Sequence, residues 1–159
     1  MFQQGAVMSE ADGFSRCNNA TLRRTARRLG RFYDDALAPS GLKGTQFGLL
    51  FQISVGADPA MGAIAEALIM DLSALGHTLK PLVRDGYVET FPDKDDRRVK
   101  RVRLTPSGQA KLDEAIKLWS VAQRQFEAMI GAEQAAKLRA TLDEVAALKL
   151  ELPAVTPSS

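Results

Sequence analysis

The sequence contains few of the residues on which most catalytic and metal sites depend. It has one cysteine, Cys17, one histidine, His77, and one tryptophan among its 159 residues. A lone cysteine cannot form an internal disulfide, so nothing indicates an oxidising compartment. A single histidine leaves no His/Cys cluster with zinc spacing and no supported Ser-His-Asp set. We therefore expect no enzyme, no metal site and no cofactor.

Long apolar runs and a large net charge are also missing. No stretch approaches the ~20 apolar residues that a membrane-spanning helix needs, and residues 1–14 lack the basic start and apolar centre of a secretory signal. The net charge is +2, which identifies no partner, while 45% hydrophobic and 25% charged residues are ordinary for a globular protein. We expect a single cytoplasmic domain over residues 1–159 that does not bind a membrane.

The positive charge that is present is concentrated in two segments. The stretch 93–103 interleaves three aspartates, at 93, 95 and 96, with six basic residues: Lys94, Arg97, Arg98, Lys100, Arg101 and Arg103. A second basic run lies near the start and consists of Arg23, Arg24, Arg27, Arg28 and Arg31. Such concentrations can bind phosphate, although a run of charges is more often a solvated face.

Hydrophobic periodicity predicts a mainly α (α+β) fold in which long helices flank a compact middle. Leu22, Leu29 and Tyr33 fall on one stripe of a helix over residues 14–37. Thr105-Pro106 is typical of a helix start and predicts helical residues over 106–150, interrupted at Gly131. Because these helices carry apolar stripes without a second layer of their own, the expected partner is an identical subunit.

The middle segment, 45–104, has the order of a helix-turn-helix followed by a hairpin. Thr45 predicts the N-cap of its first helix, and leucines at 75, 79 and 82 give a later helix one apolar face. In a helix-turn-helix this later helix enters the major groove with its N-terminal side chains at the base edges. The candidate DNA contacts of these helices are Thr45, Ser73, Gly76, His77, Thr78 and Lys80. Apolar spacing alone is weak evidence, because any helical hairpin shows it.

The segment after this helix predicts a β-hairpin with a charged tip. Residues 87–91 are β-branched and aromatic, residues 92–98 are polar, and residues 99–104 alternate between apolar and basic. A cationic hairpin directly after a helix-turn-helix is a wing, whose arginines reach phosphates or a narrow minor groove. Its aspartates suit the task of holding an arginine in one orientation. The candidate wing contacts are Lys94, Asp96, Arg97, Arg98 and Lys100.

These segments resemble the MarR family of transcriptional regulators. The runs Asp93-Lys94-Asp95-Asp96-Arg97-Arg98 and Val102-Arg103-Leu104-Thr105-Pro106-Ser107-Gly108 resemble its wing signature, residues 70–88 its recognition helix and first wing strand, and residues 41–50 its second helix. The chain departs from the family at Leu72 and His77, where arginine is common, and it carries Pro81 inside the helix, which predicts a bend there or a packing reason for it. The resemblance covers residues 17–150.

The resemblance implies a winged helix-turn-helix lobe between N- and C-terminal dimerisation helices. It further implies a homodimer on double-stranded DNA, at a pseudo-palindromic operator, that represses neighbouring genes. Such a repressor releases DNA when a small-molecule effector, often an aromatic or phenolic acid, binds between the dimerisation helices and the DNA-binding lobe.

Two further hypotheses concern how the protein senses a signal, through a ligand pocket or through Cys17. A third concerns whether it binds DNA with sequence specificity. A mostly apolar pocket with one cationic anchor can hold an aromatic carboxylate, and its candidates are Arg23, Arg27, Tyr33, Phe47, Phe51 and Trp119, although these aromatics are more often core. Cys17, early in a helix beside Arg16, can be a redox sensor, although a buried, inert thiol at a dimer contact is the simpler interpretation. The third hypothesis is an architectural protein that binds DNA without sequence preference.

Overall fold

The computed structural model describes residues 17–151. The helices are α1 (Asn18–Leu37), α2 (Gly44–Val55), α3 (Met61–Ala67), α4 (Leu72–Arg84), α5 (Pro106–Ile130) and α6 (Ala132–Ala147). The strands are β1 (Val88–Pro92) and β2 (Lys100–Leu104), and a 3₁₀ turn, Ala38–Ser40, follows α1. The mainly α fold with one hairpin is therefore confirmed. Residues 14–16 of the predicted first helix lie outside the described residues.

The described residues form two compact units, which divide within α5 after Ala122. The first unit contains the hydrophobic core, built from α2, α3, α4, the hairpin and the start of α5. Its most deeply buried large side chains are Leu37, Leu49, Leu50, Ile64, Leu75, Leu82, Leu112 and Val102. The second unit consists of the end of α5 and α6, which Gly131 separates with a φ of +88°. No helix of residues 17–151 is long and apolar enough to cross a membrane.

Side-chain hydrogen bonds cap the starts of two helices, α4 and α5. The Asp71 carboxylate accepts a hydrogen bond from the Ala74 N–H at 2.7 Å, which caps α4. The Thr105 hydroxyl accepts one from the Gly108 N–H at 3.0 Å, directly before Pro106 at the first position of α5. Helix α4 continues through Pro81, and the Asp85 N–H donates to the Pro81 carbonyl at 2.9 Å.

The start of α2 differs from the prediction that Thr45 caps it. Helix α2 begins one residue earlier, at Gly44, with Lys43 in the N-cap position. The Gly44 N–H donates to the Asp34 carboxylate of α1 at 2.7 Å, and the Lys43 N–H donates to the Gln46 side chain at 2.9 Å. Because Asp34 is ten residues away in the chain, the acceptor that fixes this helix start comes from packing of α1 against α2.

The hairpin β1–β2 is antiparallel, with Val88 opposite Leu104 and Thr90 opposite Val102. The connection between α2 and α3 extends this sheet, because Ala60 forms a bridge with Arg101 and the Val102 N–H donates to the Pro59 carbonyl at 3.0 Å. Val102 is buried. The hairpin is thus fixed to the helical part of the lobe by its second strand, while the residues between the strands project beyond it.

Candidate nucleic-acid interface

Helix α4 has one buried face and one exposed face. Leu75, Leu79 and Leu82 are buried, whereas Ser73, His77 and Lys80 are exposed and share the opposite face of the helix. The two other predicted contacts of this helix are half-buried. The Thr78 hydroxyl donates to the Ala74 carbonyl at 3.1 Å, and a Cβ added to Gly76 would meet no atom within 4 Å. The exposed face therefore offers a hydroxyl, an imidazole and an ammonium group.

Helix α4 carries little positive charge that is free to meet phosphate. The Arg84 guanidinium binds both carboxylate oxygens of Asp85, at 2.8 and 3.3 Å. Lys80 has no ion-pair partner within residues 17–151. Most of the charge available for phosphate must therefore lie outside this helix.

The tip of the wing presents two neighbouring arginines in different states. The Asp96 carboxylate accepts two hydrogen bonds from the Arg98 guanidinium, at 3.0 and 2.9 Å, and one from the Arg98 N–H at 3.0 Å. The hydrogen bond from the Arg98 side chain is the main reason that the pKa of Asp96 lies below its ordinary value. Arg97 is exposed and has no partner among the described residues. The tip thus combines one oriented and one unrestrained guanidinium.

The two predicted wing lysines are also exposed. Lys100 begins β2, and the Lys94 ammonium lies 3.8 Å from the Asp95 carboxylate, a loose pair between exposed side chains. Such a pair contributes little to stability. Both lysines can therefore meet a DNA backbone without breaking a strong contact.

Asp93 fixes the base of the wing. From the sequence alone, Asp93, Asp95 and Asp96 were expected to share one role, that of orienting an arginine. Its side chain is buried, forms an ion pair with Arg101 and accepts hydrogen bonds from the Asp95 and Asp96 N–H groups at 2.8 and 3.0 Å. The Arg101 hydrogen bond, followed by those two backbone donors, lowers the pKa of Asp93 to about 2. Arg101 also donates to the Asp58 carbonyl at 2.9 Å. The wing is thereby tied to the α2–α3 connection.

Arg103 belongs to the base of the wing as well. Its guanidinium lies 3.9 Å from the centre of the Phe91 ring, 3.3 Å from Glu89 and 3.8 Å from Asp58. Stacking on the ring and pairing with carboxylates hold the guanidinium against the hairpin. Of the basic residues in 93–103, Arg101 and Arg103 therefore stabilise the lobe.

A cavity of about 350 Å³ is lined by residues of α1, the start of α2 and α5. Its lining residues are Gly30, Tyr33, Leu37, Gly44, Thr45, Phe47 and Trp119. The Phe47 and Trp119 rings are stacked, with centroids 6.0 Å apart and planes 27° apart. The predicted pocket residues Tyr33, Phe47 and Trp119 are thus brought together, and Thr45, predicted as a DNA contact, lies in the cavity wall.

Three other predicted pocket residues do not line this cavity. Arg23 and Arg27 are exposed on α1. Along the helix axis, Arg27 lies about 4.5 Å and Arg23 about 10.5 Å before the lining residue Gly30. Phe51 is 47% exposed and contacts Phe47, with ring centroids 6.4 Å apart. Among the described residues, the cavity lining thus includes no cationic side chain, and the pocket role of Arg23, Arg27 and Phe51 stays a prediction.

The remaining candidates near the start of the described chain are solvated or half-buried. The five α1 arginines are exposed and form no ion pair within residues 17–151, so in this chain they are a solvated face. Cys17 is a half-buried free cysteine at the N-cap of α1, where its carbonyl accepts a hydrogen bond from the Thr21 N–H at 3.0 Å. The redox hypothesis for Cys17 stays a prediction.

Comparison with known proteins agrees with the winged lobe. The family model for a winged helix DNA-binding domain matches residues 49–108. The multiple antibiotic resistance protein MarR of Escherichia coli is 32% identical over 133 residues, which cover 82% of this chain and 85% of that protein. The crystal structure of the Mycobacterium tuberculosis transcriptional regulator MosR in complex with DNA is 34% identical, with a TM-score of 0.70 over 84% of this chain and 100% of that one.

A second solved structure gives the same result. A cysteine-to-serine mutant of E. coli MarR complexed with operator DNA is 25% identical to this chain, with a TM-score of 0.77 over 86% of this chain and 99% of that one. The helix-turn-helix, the wing and the sequence similarity over most of both chains point to one family. This chain belongs to the MarR family of DNA-binding transcriptional regulators.

Proposed function

We propose that the protein is a homodimeric repressor that binds a pseudo-palindromic operator and leaves it when a small aromatic molecule occupies the cavity at Trp119. The observation that carries the DNA-binding part is the presence, on one lobe, of an exposed polar face on α4 and a wing tip with Arg97 and Arg98 exposed. The DNA complexes of MosR and of the MarR mutant support this use of the lobe.

The two surfaces supply different parts of binding. Ser73, His77 and Lys80 carry groups that can hydrogen-bond to base edges, so α4 selects the sequence. Arg97 and Arg98 carry full charge and reach the flanking backbone or minor groove, so the wing supplies affinity and register. Since Asp96 holds Arg98 in a fixed orientation, less conformational entropy is lost when Arg98 contacts DNA.

Exposed apolar side chains in both units support a homodimer. In the second unit these are Met129, Ile130, Leu142, Val145 and Leu148, and on α1 of the first unit Leu22 is exposed. Several large apolar side chains exposed within one unit are typical of a protein–protein contact. A twofold dimer presents two copies of the winged lobe, which matches a pseudo-palindromic site.

The cavity supports an aromatic effector that does not need a carboxylate. Among the described residues, its lining includes the stacked rings of Phe47 and Trp119 and the hydroxyl-bearing side chains Tyr33 and Thr45, and it includes no arginine. A planar phenolic molecule can pack against Trp119 and hydrogen-bond to these hydroxyls. Thr45 and Phe47 begin α2, which packs against α4 and β2, so a ligand that prefers one position of α2 shifts the population of DNA-binding conformations.

The DNA-binding part is tested by selection from a random duplex library, followed by anisotropy titrations at several salt concentrations. We expect an enriched inverted repeat that binds about a thousandfold or more tighter than random duplex. An architectural protein would instead bind the enriched and the random duplex with nearly equal affinity, and that result would contradict the proposal.

The effector part is tested with a thermal-shift screen of phenols and aromatic acids, followed by DNA titration in the presence of each hit. A Cβ added to Gly30 in the cavity wall, or to Gly62 on α3, meets no atom within 4 Å. We expect Gly30→Leu to abolish the ligand shift by filling the cavity, and Gly62→Leu to retain it. Ligands that stabilise the protein without weakening DNA binding would rule out the coupling.

A further inference from the structure

One side chain on the exposed side of α4 is explained neither by the core nor by charge. Leu72 is the first residue of α4, and it is 57% exposed, whereas Leu75, Leu79 and Leu82 of the same helix are buried. Isolated exposed leucines are common on protein surfaces. Leu72 differs from them in its place, since it stands at the end of the helix that a helix-turn-helix directs at the base edges.

Leu72 lies at the border between the buried and the exposed faces of α4, about 20° around the helix from the buried Leu79. At about 100° per residue, Leu72, Gly76 and Lys80 fall within an arc of about 80°, and Ser73 lies about 20° beyond it. A Cβ added to Gly76 would meet no atom within 4 Å, so the space beside Leu72 on this face is open. The start of α4 thus presents an apolar side chain and a hydroxyl, followed one turn later by a glycine with open space beside it.

The chemistry at this end of α4 favours a base over a phosphate. The Leu72 side chain has no hydrogen-bond donor, and the neighbouring Asp71 brings a carboxylate that accepts the Ala74 N–H at 2.7 Å. That negative charge at the helix start disfavours a second anion there. The apolar group that base pairs present in the major groove is the 5-methyl group of thymine.

We propose that Leu72 selects thymine at one position of each half-site by packing against its 5-methyl group. This inference rests on the proposed function and names one part of its sequence preference. Ser73 and Lys80 then act on neighbouring base pairs or phosphates through hydrogen bonds, while Leu72 supplies discrimination that no hydrogen bond provides.

The test replaces single thymines of the library-selected duplex with uracil, which removes only the methyl group. We expect uracil at the position that Leu72 contacts to weaken binding of the unmodified protein about fourfold when it replaces thymine in one half-site, the factor for burying one methyl-sized apolar group, and about fifteenfold when it replaces thymine in both. Leu72→Ala should bind the thymine duplex more weakly by a similar factor and show no response to uracil at that position. Leu72→Met, which keeps an apolar side chain, should retain part of the response.

The matched control lies on the same helix. Val83 is also exposed and falls on the same side of α4, about 16 Å further along its axis, so Val83→Ala should keep the full response to uracil. The inference is overturned if Leu72→Ala keeps that response, or if no uracil substitution affects the unmodified protein. A library that yields no enriched site would instead overturn the proposed function, and the thymine contact with it.

Discussion

At the scale of single residues, the charged side chains of the wing perform two different tasks. Asp93 with Arg101, and Arg103 on Phe91, hold the base of the hairpin, while Arg97 and Arg98 lie at its exposed tip. When a carboxylate binds two nitrogens of a guanidinium, the remaining N–H donors of the guanidinium point outward. Substitutions in these two groups should therefore affect different measurements.

Arg97→Ala should weaken DNA binding without affecting folding. Arg97 has no partner within residues 17–151, so its removal leaves no group unpaired. We expect at least tenfold lower affinity for the selected duplex and a reduction of the salt slope by about two, because one phosphate contact and its released counterions are lost in each half-site of the dimer complex. Salt-titrated anisotropy measures both quantities.

The control for this prediction is Arg28→Ala, which removes the same charge from the solvated face of α1. It should leave both the affinity and the salt slope nearly unchanged. An equal loss in the two variants would show that the wing tip acts only through net charge.

Asp93→Asn should destabilise the lobe and remove part of its acid sensitivity. The pKa of Asp93 is lowered from 3.8 to about 2 in the folded protein, so its carboxylate contributes stability above pH 3.8 that is lost as pH falls toward 2. We expect a lower urea midpoint at neutral pH and a smaller further drop between these pH values than in the unmodified protein. Parallel pH profiles of the two proteins would contradict this role of Asp93.

At the scale of elements, the start of α5 is fixed by a close approach to the hairpin. A Cβ added to Gly108 would lie 1.8 Å from the Tyr87 carbonyl oxygen, and the Thr105 and Ser107 hydroxyls donate to the Gly86 carbonyl at 2.6 and 2.9 Å. The first turn of α5 therefore packs directly on the backbone that leads into β1. Only glycine fits at position 108 without moving one of these elements.

Gly108→Ala should cost about 2 kcal/mol or more in the free energy of unfolding, because the added methyl forces backbone apart. Gly62→Ala, in the exposed first turn of α3, should instead stabilise the protein slightly, by up to about 0.5 kcal/mol, through higher helix propensity. Urea unfolding of both variants measures the difference. A neutral Gly108→Ala would show that α5 does not pack as described.

At the scale of the whole molecule, the proposed function requires a second copy to cover apolar side chains that one chain leaves exposed. Leu142 and Val145 are exposed and lie one turn apart on α6. Covering them with a second copy buries apolar area and places two winged lobes on one operator, so dimerisation and high affinity should be lost together.

Leu142→Glu should shift the protein toward monomer in sedimentation experiments and lower its affinity for the inverted repeat by tenfold or more. A buried, unpaired carboxylate at a subunit contact is strongly unfavourable. Gln134→Glu, also exposed on α6, adds the same charge and should leave the dimer intact. A dimer that survives Leu142→Glu would locate the subunit contact elsewhere.

The sequence by itself determined the elements and the family. Apolar spacing, the caps Asp71 and Thr105, and the alternation of residues 99–104 are local signals, because each depends on neighbours a few residues apart. The hairpin, the flanking helices and the exposed Ser73, His77 and Lys80 could therefore be predicted. Asp96 was expected to hold an arginine, and its partner Arg98 is only two residues away.

Only the tertiary structure decided which distant residues meet. Asp34 fixes the start of α2 and moves Thr45 from the predicted cap into the cavity wall. Arg101 reaches Asp93 and the Asp58 carbonyl, although Asp58 is 43 residues away in the chain. The predicted anchors Arg23 and Arg27 are exposed on α1 and are not among the described lining residues of the cavity. These contacts depend on how helices and strands pack across long separations, for which periodicity carries no information.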